Sequence, residues 1–407
     1  MQVLLASVLM VATLPGRTQG LGLVTEPLLV DLHLDRLAYA NLNLWATIAG
    51  ALFCFPAGWA IDRFGLRWVT TGITLLLGVT VWRLSAFAGS AAMLFALLLA
   101  TRALGQSALS VCSMTTVGKW FAGRAGLAMG VYSVLLSVFF AIAFVAAGYS
   151  VRVNGWREAW LQIALALIVV VTPLTLFALR EPQTGMAARQ PGPMDHDNGH
   201  SNSNTDFTLS EALRTRAFWI FAGAAASFNL VSSGLGLFNE AVLAERGFDQ
   251  KTYHLFLGVS TLLSLVGQFT CGWLTTRFKF QTLTVAALTL YAAGLAGIPA
   301  VRSPWQLWLV AALLGISGGM IIVIFFAVWS EAFGPRHLGR IQGAAQMLTV
   351  VSSGLGPVLF ATCAEAFHSY APLLLGLAGA VLVLAFAVTT VRLPKQHGGL
   401  SEGMVST

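Results

Sequence analysis

Two arginines lie near the middle of long apolar segments, where charged side chains are rare. Arg17 falls inside the apolar residues 3–29, and Arg102 falls inside residues 91–117. A charge at mid-membrane depth costs about 2.5–3.5 kcal/mol, so each guanidinium should face a cavity or a partner. A guanidinium in a cavity can bind a carboxylate through two parallel hydrogen bonds. The pair therefore predicts an anion-binding site, with helix packing as the alternative role for Arg102.

Polar side chains also recur inside long apolar segments. Within residues 216–242, Asn229, Ser233, Gly236 and Glu240 follow one another at i, i+4, i+7 and i+11, which makes one stripe of a helix. The other predicted substrate-binding side chains share an amide group: Gln19, Gln106, Gln268 and Gln346. Packing between helices by small polar residues is the alternative explanation for these stripes.

Two glutamates, Glu26 and Glu240, lie toward the ends of their apolar segments. A proton carrier has to be partly desolvated so that it can bind and release a proton near neutral pH. Either residue could carry protons, form part of a gate, or simply be a carboxylate at the membrane surface. The sequence leaves these three roles open.

The chain contains an internal repeat with an offset of 214 positions. Gly-Leu-Gly-Leu at 20–23 recurs at 234–237, and the ungapped overlay of residues 20–64 gives 14 identities in 45 positions. The overlay places Glu26 on Glu240, but Arg17 on Val231. Pro15 and Gly16 should also weaken the first helix near its middle. A membrane protein with two related halves and an interrupted span is typical of a transporter with a central site.

Composition supports a membrane protein, with 57% hydrophobic and only 10% charged residues. An apolar run of about 20 residues is long enough to cross the hydrocarbon core as a helix. We count twelve such runs and predict an all-α integral membrane fold of two pseudo-symmetric six-helix bundles. The runs are 3–29, 38–61, 68–88, 91–117, 125–149, 158–179, 216–242, 252–275, 280–300, 305–329, 341–366 and 370–391. The predicted division is a first bundle at 1–179, a cytoplasmic loop at 180–215, a second bundle at 216–392 and a cytoplasmic tail at 393–407.

The net charge of +7 is distributed in the way that membrane topology requires. With a cytoplasmic N-terminus, the inner loops and tail hold 14 Lys and Arg residues and the outer loops hold six. This asymmetry predicts that both termini are cytoplasmic, and it explains the basic character without a nucleic-acid partner. The four cysteines all fall in apolar runs, and His196 and His200 have no neighbouring ligands, so we expect no metal and no cofactor.

The most specific local motif follows the second apolar run. Gly58-Trp-Ala-Ile-Asp62-Arg63-Phe-Gly65-Leu-Arg67 resembles the G-x-x-x-D-R-x-G-x-[RK] signature of the major facilitator superfamily. The resemblance implies that Asp62 is a conformational latch, which engages a helix N-terminus or a basic residue in only one state. The alternative is a solvated charged turn. In the second copy, Thr276 replaces Asp62 and Lys279 replaces Gly65.

Further motifs extend the resemblance over nearly the whole chain. Arg102-Ala-Leu-Gly-Gln106 partly resembles the fourth-helix arginine signature of that superfamily. Residues 119–130 and 210–219 are similar to the monocarboxylate-porter-like and oxalate/formate-antiporter-like branches. Those branches place basic residues in spans eight and eleven, where this chain has Gln268, Gln342 and Gln346 instead.

These observations predict a secondary transporter that works by alternating access in the cell membrane. The unpaired arginines favour a small organic anion, such as a monocarboxylate, moved together with protons. The expected partners are therefore an anionic substrate, protons and the lipid bilayer, and we expect a functional monomer rather than an enzyme. The competing interpretations are efflux of amphipathic compounds and a membrane sensor that keeps the fold without transporting.

Overall fold

The computed structural model of the chain describes residues 2–32, 36–121, 124–179 and 207–391. Every regular element in these residues is a helix, and eleven helical stretches are long and apolar enough to cross a membrane. The first apolar segment, interrupted near its middle, supplies the twelfth span. The fold is the predicted all-α arrangement of two six-helix bundles.

The first half contains the following helices and π-helical turns in chain order: α1 (Gln2–Val11), α2 (Thr18–Leu32), α3 (Arg36–Ala51), α4 (Cys54–Phe64), α5 (Leu66–Ser85), α6 (Ala91–Thr101), the π-turn Arg102–Ala108, α7 (Leu109–Trp120), α8 (Ala125–Asn154), α9 (Trp156–Leu165), the π-turn Ala166–Val171 and α10 (Thr172–Ala178).

A short helix and six long ones follow in the second half: α11 (Leu209–Arg214), α12 (Arg216–Ala244), α13 (Gln250–Leu274), α14 (Phe280–Ala300), α15 (Pro304–Phe333), α16 (Leu338–Phe367) and α17 (Ala371–Thr390). Residues 180–206 and 392–407 lie outside the described residues. The predicted loop and tail therefore stay predictions there, as does the exact division of the chain.

Local sequence explains where several helices begin and end. Gly65 separates α4 from α5 with φ of 89°, a conformation that a residue with a Cβ rarely adopts. Asp249 accepts a hydrogen bond from the backbone N–H of Thr252 and so begins α13. A capping box begins α11, where Thr208 and Glu211 exchange hydrogen bonds. These hydrogen bonds lower the pKa of the exposed Glu211 carboxyl, the backbone N–H of Thr208 having the largest effect.

Each half has its own apolar core. In the first half, Leu77 and Trp160 belong to one buried cluster, and in the second half Phe218 and Trp329 belong to another. A smaller cluster around Tyr132 packs against α15 and so joins the halves. The four cysteines are buried and free.

Candidate functional site

The first apolar segment breaks between α1 and α2, as Pro15 and Gly16 predict. Leu14 and Gly16 have φ of 72° and 79°, so the chain leaves the helical conformation there. A helix that breaks inside a membrane leaves backbone groups without partners, and neighbouring spans must satisfy them. Arg102 does so, because its Nη1 donates a hydrogen bond of 2.9 Å to the carbonyl oxygen of Gly16.

Arg102 connects three membrane spans through its guanidinium. Nε and Nη2 donate to Oδ1 of Asn43 at 3.2 and 2.8 Å, and Nη1 donates to Oε1 of Gln106 at 2.8 Å. The residue is only 1% exposed, and it begins the π-turn Arg102–Ala108. Its contacts are those of an arginine that holds helices together, which is the alternative role considered from the sequence.

Arg17 lies next to this cluster but is bonded differently. Its Nη2 donates a hydrogen bond of 2.8 Å to Oγ of Ser110, and Ser110 donates in turn to the backbone oxygen of Gln106. Its Nε is buried and has no hydrogen-bond partner. Among the side chains that the structure describes, no carboxylate lies within 4 Å of this guanidinium. Arg17 is thus a cation inside a span with donor capacity left over.

Sequence reasoning missed two members of this cluster. Asn43 orients Arg102, and Ser110 holds Arg17, but neither belongs to a recognised motif. Asn43 could have been noticed, because it is an amide inside an apolar segment and the repeat overlay places it on Leu257. Ser113 lies one turn beyond Ser110 and forms a hydrogen bond of 2.6 Å with the hydroxyl of Tyr132, which connects the fourth span to the fifth.

The predicted second-half residues form separate contacts. Asn229 donates to the backbone oxygen of Ala225 in its own helix at 2.9 Å. Ser233 donates to the backbone oxygen of Ser353 at 2.6 Å and so ties α12 to α16. Each of these hydrogen bonds stays within the second half.

The second-half amides differ in burial and in contacts. Gln268 is 3% exposed, accepts from Ser137 of α8 at 3.4 Å and donates to Ser264 at 3.3 Å. Gln346 is half-buried, and no described hydrogen bond joins its side chain to Arg17 or Arg102. The structure therefore brings together Arg17, Arg102 and Gln106, but not the second-half residues with them. The side chains of Gln19, Glu26 and Glu240 lie outside the described residues.

Asp62 meets both kinds of partner that its motif implies. Its Oδ1 accepts from Nζ of Lys119 at 2.9 Å and from the N–H of Gly339 at 3.2 Å, while Oδ2 accepts from the N–H of Arg340 at 3.0 Å. The carboxylate side chain is 2% exposed. Gly339 and Arg340 belong to the first turn of α16, where a helix presents unpaired N–H groups and positive potential. Asp62 therefore bridges the two halves; the restriction of this contact to one state stays a prediction.

The other charged members of the motif point elsewhere. Arg63 is exposed and its guanidinium carbon lies 5.6 Å from the ring centroid of Trp59. Arg67 lies 5.3 Å from the ring of Trp68. Neither arginine forms an ion pair with a described carboxylate, so Asp62 is the charged member of the motif that binds the other half.

Two of the helix pairs that join the halves lie at the end of the molecule that carries Asp62, called the Asp62 end below. In the first junction, α4 packs on α16, and a methyl group added at Gly58 would overlap the backbone oxygen of Gly339. In the second junction, α8 packs on α13, and a Cβ on Gly130 would lie 2.6 Å from Cα of Gly272. Gly272 is the repeat partner of Gly58. The two junctions thus share a glycine contact and a position in the repeat.

Both halves also carry a carboxylate contact at the opposite end, which we call a clamp. In the first clamp, Asp31 accepts from Nε1 of Trp156 at 3.2 Å and pairs with Arg157 at 2.8 Å. In the second, Glu245 accepts from the hydroxyl of Ser369 at 3.1 Å and from the N–H of Tyr370 at 3.2 Å.

Asp31 and Glu245, and likewise Trp156 and Tyr370, are 214 positions apart, so the repeat extends beyond the residues of the sequence overlay. Burial, and then the Glu245 carboxylate, raise the pKa of Tyr370 above its usual value. Each clamp ties the first span of a half to the start of its last span.

Two small pockets lie away from these polar clusters. One, of about 220 Å³, is lined by apolar side chains of α2, α8 and α9 together with Leu14. The other, of about 240 Å³, lies inside the second half between α12, α14 and α15. Neither contains a charged residue, so neither suits the anion that Arg17 would bind. Within the described residues, no cluster of three or more His, Cys, Asp or Glu could hold a metal.

Sequence comparison places the chain among transport proteins. The family model of the Major Facilitator Superfamily matches residues 5–357 and, in a second and overlapping match, residues 224–404. An uncharacterised 38 kDa protein in the 23S RNA operon of Thermoproteus tenax is 24% identical over 381 residues, which covers 92% of this chain and 88% of that protein.

Solved structures with the same fold include two transporters. The crystal structure of the human organic anion transporter MFSD10 (TETRAN) superposes with a TM-score of 0.69 at 16% identity, covering 95% of this chain and 99% of that one. A variant of the E. coli fucose:proton symporter FucP superposes with a TM-score of 0.69 at 16% identity, covering 96% and 98%. FucP in the outward conformation superposes with a TM-score of 0.68 at 15% identity over the same shares. Likeness at this identity shows the fold.

Proposed function

The chain belongs to the major facilitator superfamily of membrane transporters, and from that premise we propose that it carries a small organic anion across the membrane together with a proton. The transport cycle is alternating access, in which the two six-helix bundles rock around a site between them. Resemblance to the monocarboxylate-porter-like branch favours a monocarboxylate as the anion.

Arg17 carries the proposal for the charge of the substrate. It is a cation within a membrane span, it has one hydrogen bond to Ser110, and its Nε has none. No described carboxylate neutralises it. An anionic substrate would supply both the missing charge and the missing acceptor, and a carboxylate matches the fork of a guanidinium.

Arg102 has a supporting role in this proposal. Its donors already reach Asn43, Gln106 and the carbonyl of Gly16. By fixing the break before α2, it fixes the position of Arg17, which follows Gly16 directly. We therefore assign first contact with the substrate to Arg17, and the shape of the site to Arg102, Asn43 and Gln106.

The contacts between the halves support an outward-open state. The first and second junctions both lie at the Asp62 end, and the motif and the distribution of basic loops support a cytoplasmic location for that end. In this proposal the Asp62 contact is made when the cytoplasmic side is closed, and it breaks when the transporter opens inward. Asn229, Ser233, Gln268 and Gln346 would approach the substrate from the second half during that change.

Glu26 and Glu240 are the proposed proton carriers, and one of them is sufficient for coupling. Two structural neighbours support the chemistry only by analogy: one is described as an organic anion transporter and the other as a fucose:proton symporter. We further propose that the protein is located in the cell membrane with both termini in the cytoplasm, and that the monomer is the functional unit.

The proposal is tested by uptake into proteoliposomes with an imposed pH gradient, using labelled monocarboxylates and matched neutral solutes. Arg17→Ala should lower carboxylate uptake at least tenfold, since it removes a charge-assisted pair of about 1.5–3 kcal/mol. Arg83→Gln is the matched control, because Arg83 is an exposed arginine near the end of α5. Uptake of neutral solutes that is insensitive to Arg17→Ala, without carboxylate uptake, would overturn the anion proposal.

Proton coupling is tested separately in the same vesicles. Glu26→Gln or Glu240→Gln should abolish accumulation driven by the pH gradient while leaving exchange of substrate across the membrane. If both variants accumulate substrate like the wild type, neither glutamate carries the proton.

A further inference from the structure

We propose that two stacked Trp–Arg pairs at the Asp62 end bind the phosphate groups of anionic phospholipids. The pairs are Trp59 with Arg63 and Trp273 with Arg277. They are 214 positions apart, so the repeat carries one pair in each half. The membrane setting follows from the family, and the proposed lipid sites are independent of the transported substrate.

The two pairs have the same spacing in the sequence and a similar arrangement in space. Trp and Arg are four residues apart, and each guanidinium carbon lies over its indole ring, at 5.6 Å in the first pair and 4.4 Å in the second. Trp59 is 39% exposed, Trp273 is 44% exposed, and both arginines are exposed as well. A guanidinium stacked on an aromatic face keeps its N–H edges directed outward. Each pair therefore presents a fixed set of donors at the surface.

Those donors have no acceptor within the described part of the chain. No described carboxylate pairs with Arg63 or Arg277, and no described hydrogen bond uses their guanidinium groups. Asp62, which precedes Arg63 in the sequence, is already bound to Lys119 and to the first turn of α16. An external anion is the group that would complete both pairs.

The depth of the pairs indicates which anion this is. The second membrane span ends at Phe64 and the eighth at Leu274, so each tryptophan lies within the last turns of its span and each arginine lies at or just past the end. Tryptophan prefers the headgroup level of the bilayer, and arginine reaches from there to the phosphates. A lipid phosphate is the anion that is always present at this depth.

The position next to the junctions keeps the pairs accessible from the bilayer. Trp59 follows Gly58 and Trp273 follows Gly272, the two glycines that contact the other half. Adjacent helical residues differ by about 100° in direction, so each tryptophan lies on a different face of its helix from the junction glycine. Trp59 is 39% exposed and Trp273 is 44% exposed, so part of each indole is open to the bilayer.

Charge at this end favours an anionic lipid over a zwitterionic one. Arg124, Lys279 and Arg336 are exposed there, and Arg67 is half-buried. Basic residues near a membrane surface add about 1 kcal/mol each to the attraction for anionic lipid. The general attraction would hold anionic lipids near this end, and the two Trp–Arg pairs would be the defined sites at which their phosphates bind.

The test counts lipids bound to the full-length protein by native mass spectrometry. The protein is transferred from detergent into mixed micelles with phosphatidylglycerol or phosphatidylcholine. We expect two tightly bound phosphatidylglycerols on the wild type. Arg63→Gln or Arg277→Gln should weaken one of the two sites roughly fivefold, and the double variant should weaken both sites by that factor. Arg63→Lys should bind more weakly than the wild type, because lysine lacks the planar fork.

Arg302→Gln is the matched control, since Arg302 is an exposed arginine at the opposite end. It should bind both lipids. Inorganic phosphate at millimolar concentration should leave the bound lipid in place, because the acyl chains contribute to binding as well as the phosphate. The proposal is wrong if the double variant binds both phosphatidylglycerols as tightly as the wild type, if phosphatidylcholine binds equally well, or if free phosphate displaces the lipid.

Discussion

The first and second junctions occupy equivalent places in the two halves but are built with different chemistry. Both have a glycine of one half against the backbone of the other, at Gly58 and at Gly272. Four residues later, the first junction has Asp62, buried and bonded to Lys119 and α16. The second junction has Thr276 at that position, and its hydroxyl donates to the backbone oxygen of Trp273 in the same half.

This difference separates two contributions to closure. The glycine contacts let the helices approach at both junctions, so their effect depends on shape. The carboxylate adds charge-assisted hydrogen bonds at the first junction, and these are lost as soon as α4 and α16 separate. We infer that packing permits the closed state at both junctions, and that charge at the first junction sets how stable that state is.

The largest expected effect comes from Asp62→Asn. Two backbone N–H groups of α16 donate to the Asp62 carboxylate across the junction, and asparagine would leave them with a neutral acceptor. Hydrogen bonds to a charged group are worth about 1.5–3 kcal/mol and roughly twice as much as neutral ones, so we expect the closed state to lose about 2–3 kcal/mol. The ratio of closed to open molecules at the Asp62 end should fall roughly 100-fold. Pulsed electron resonance between spin labels at Arg124 and Lys279 would measure that ratio.

Glu211→Gln is the control, since Glu211 is a fully exposed carboxylate at the same end. It should leave the distance distribution unchanged. The four native cysteines are buried, so labels will attach to the introduced ones. A distribution in Asp62→Asn that matches the wild type would show that charge does not stabilise the first junction.

Gly272→Ala is expected to have the next largest effect, at the second junction. A Cβ there would lie 2.7 Å from Cα of Gly130, so the two helices must move apart. Overpacking of this kind costs about 1–3 kcal/mol, which corresponds to a shift of roughly 5- to 150-fold toward the open state. Gly258→Ala is the control in the same helix, because nothing lies within 4 Å of a Cβ there. If Gly272→Ala and Gly258→Ala give the same distance between the labels at positions 124 and 279, the second junction does not depend on the close approach of α8 and α13.

The sequence predicted those parts of the site that depend on local chemistry. Pro15 and Gly16 predicted the break, and the motif pointed to Asp62. It did not predict that Asn43 would accept from Arg102, 59 positions away. Periodicity shows which face of a helix is polar, but the partner across the interface depends on tertiary packing.

The clamps were missed for a related reason. Asp31 and Glu245 occupy the same repeat position but are different residues, so counting identities passes over them. Their partners, Trp156 and Tyr370, lie outside the overlaid residues 20–64. The structure recovers the match because both carboxylates bind the start of the last span of their half. Repeat positions that keep a function while changing the residue need coordinates to be recognised.

A smaller effect is expected when the missing charge is added to the second junction. Thr276→Asp places a carboxylate at the repeat position of Asp62, close to the first turn of α8, where Thr275 contacts Gly126. Position 276 is exposed, so attraction to that helix N-terminus is worth about 0.3–1 kcal/mol. The closed state should gain roughly two- to fivefold in population, and about 1 M salt should remove most of the gain. Thr276→Asn is the matched neutral control, and an equal gain with asparagine would exclude a charge effect.

The smallest effects are expected at the two clamps, where both halves keep a carboxylate. Asp31 and Arg157 are 43% and 40% exposed, so the ion pair should contribute less than about 1 kcal/mol. Asp31→Asn and Glu245→Gln should therefore lower the unfolding temperature slightly and leave the Arg124–Lys279 distance unchanged, because each clamp lies within one half.

Tyr370 gives the second clamp a readout of its own. Its pKa is raised by burial and then by Glu245, so the folded state favours the neutral phenol. This contribution to stability is complete below the unfolded pKa of about 10 and is lost as the pH rises through the higher folded value. Glu245→Gln removes the second cause and should lower that pKa, which ultraviolet difference titration against the wild type would detect. Asp31→Asn serves as its control, since it changes the other half. A clamp variant that shifted the distance between the halves would mean that charge within a half, and not only across the first junction, controls closure.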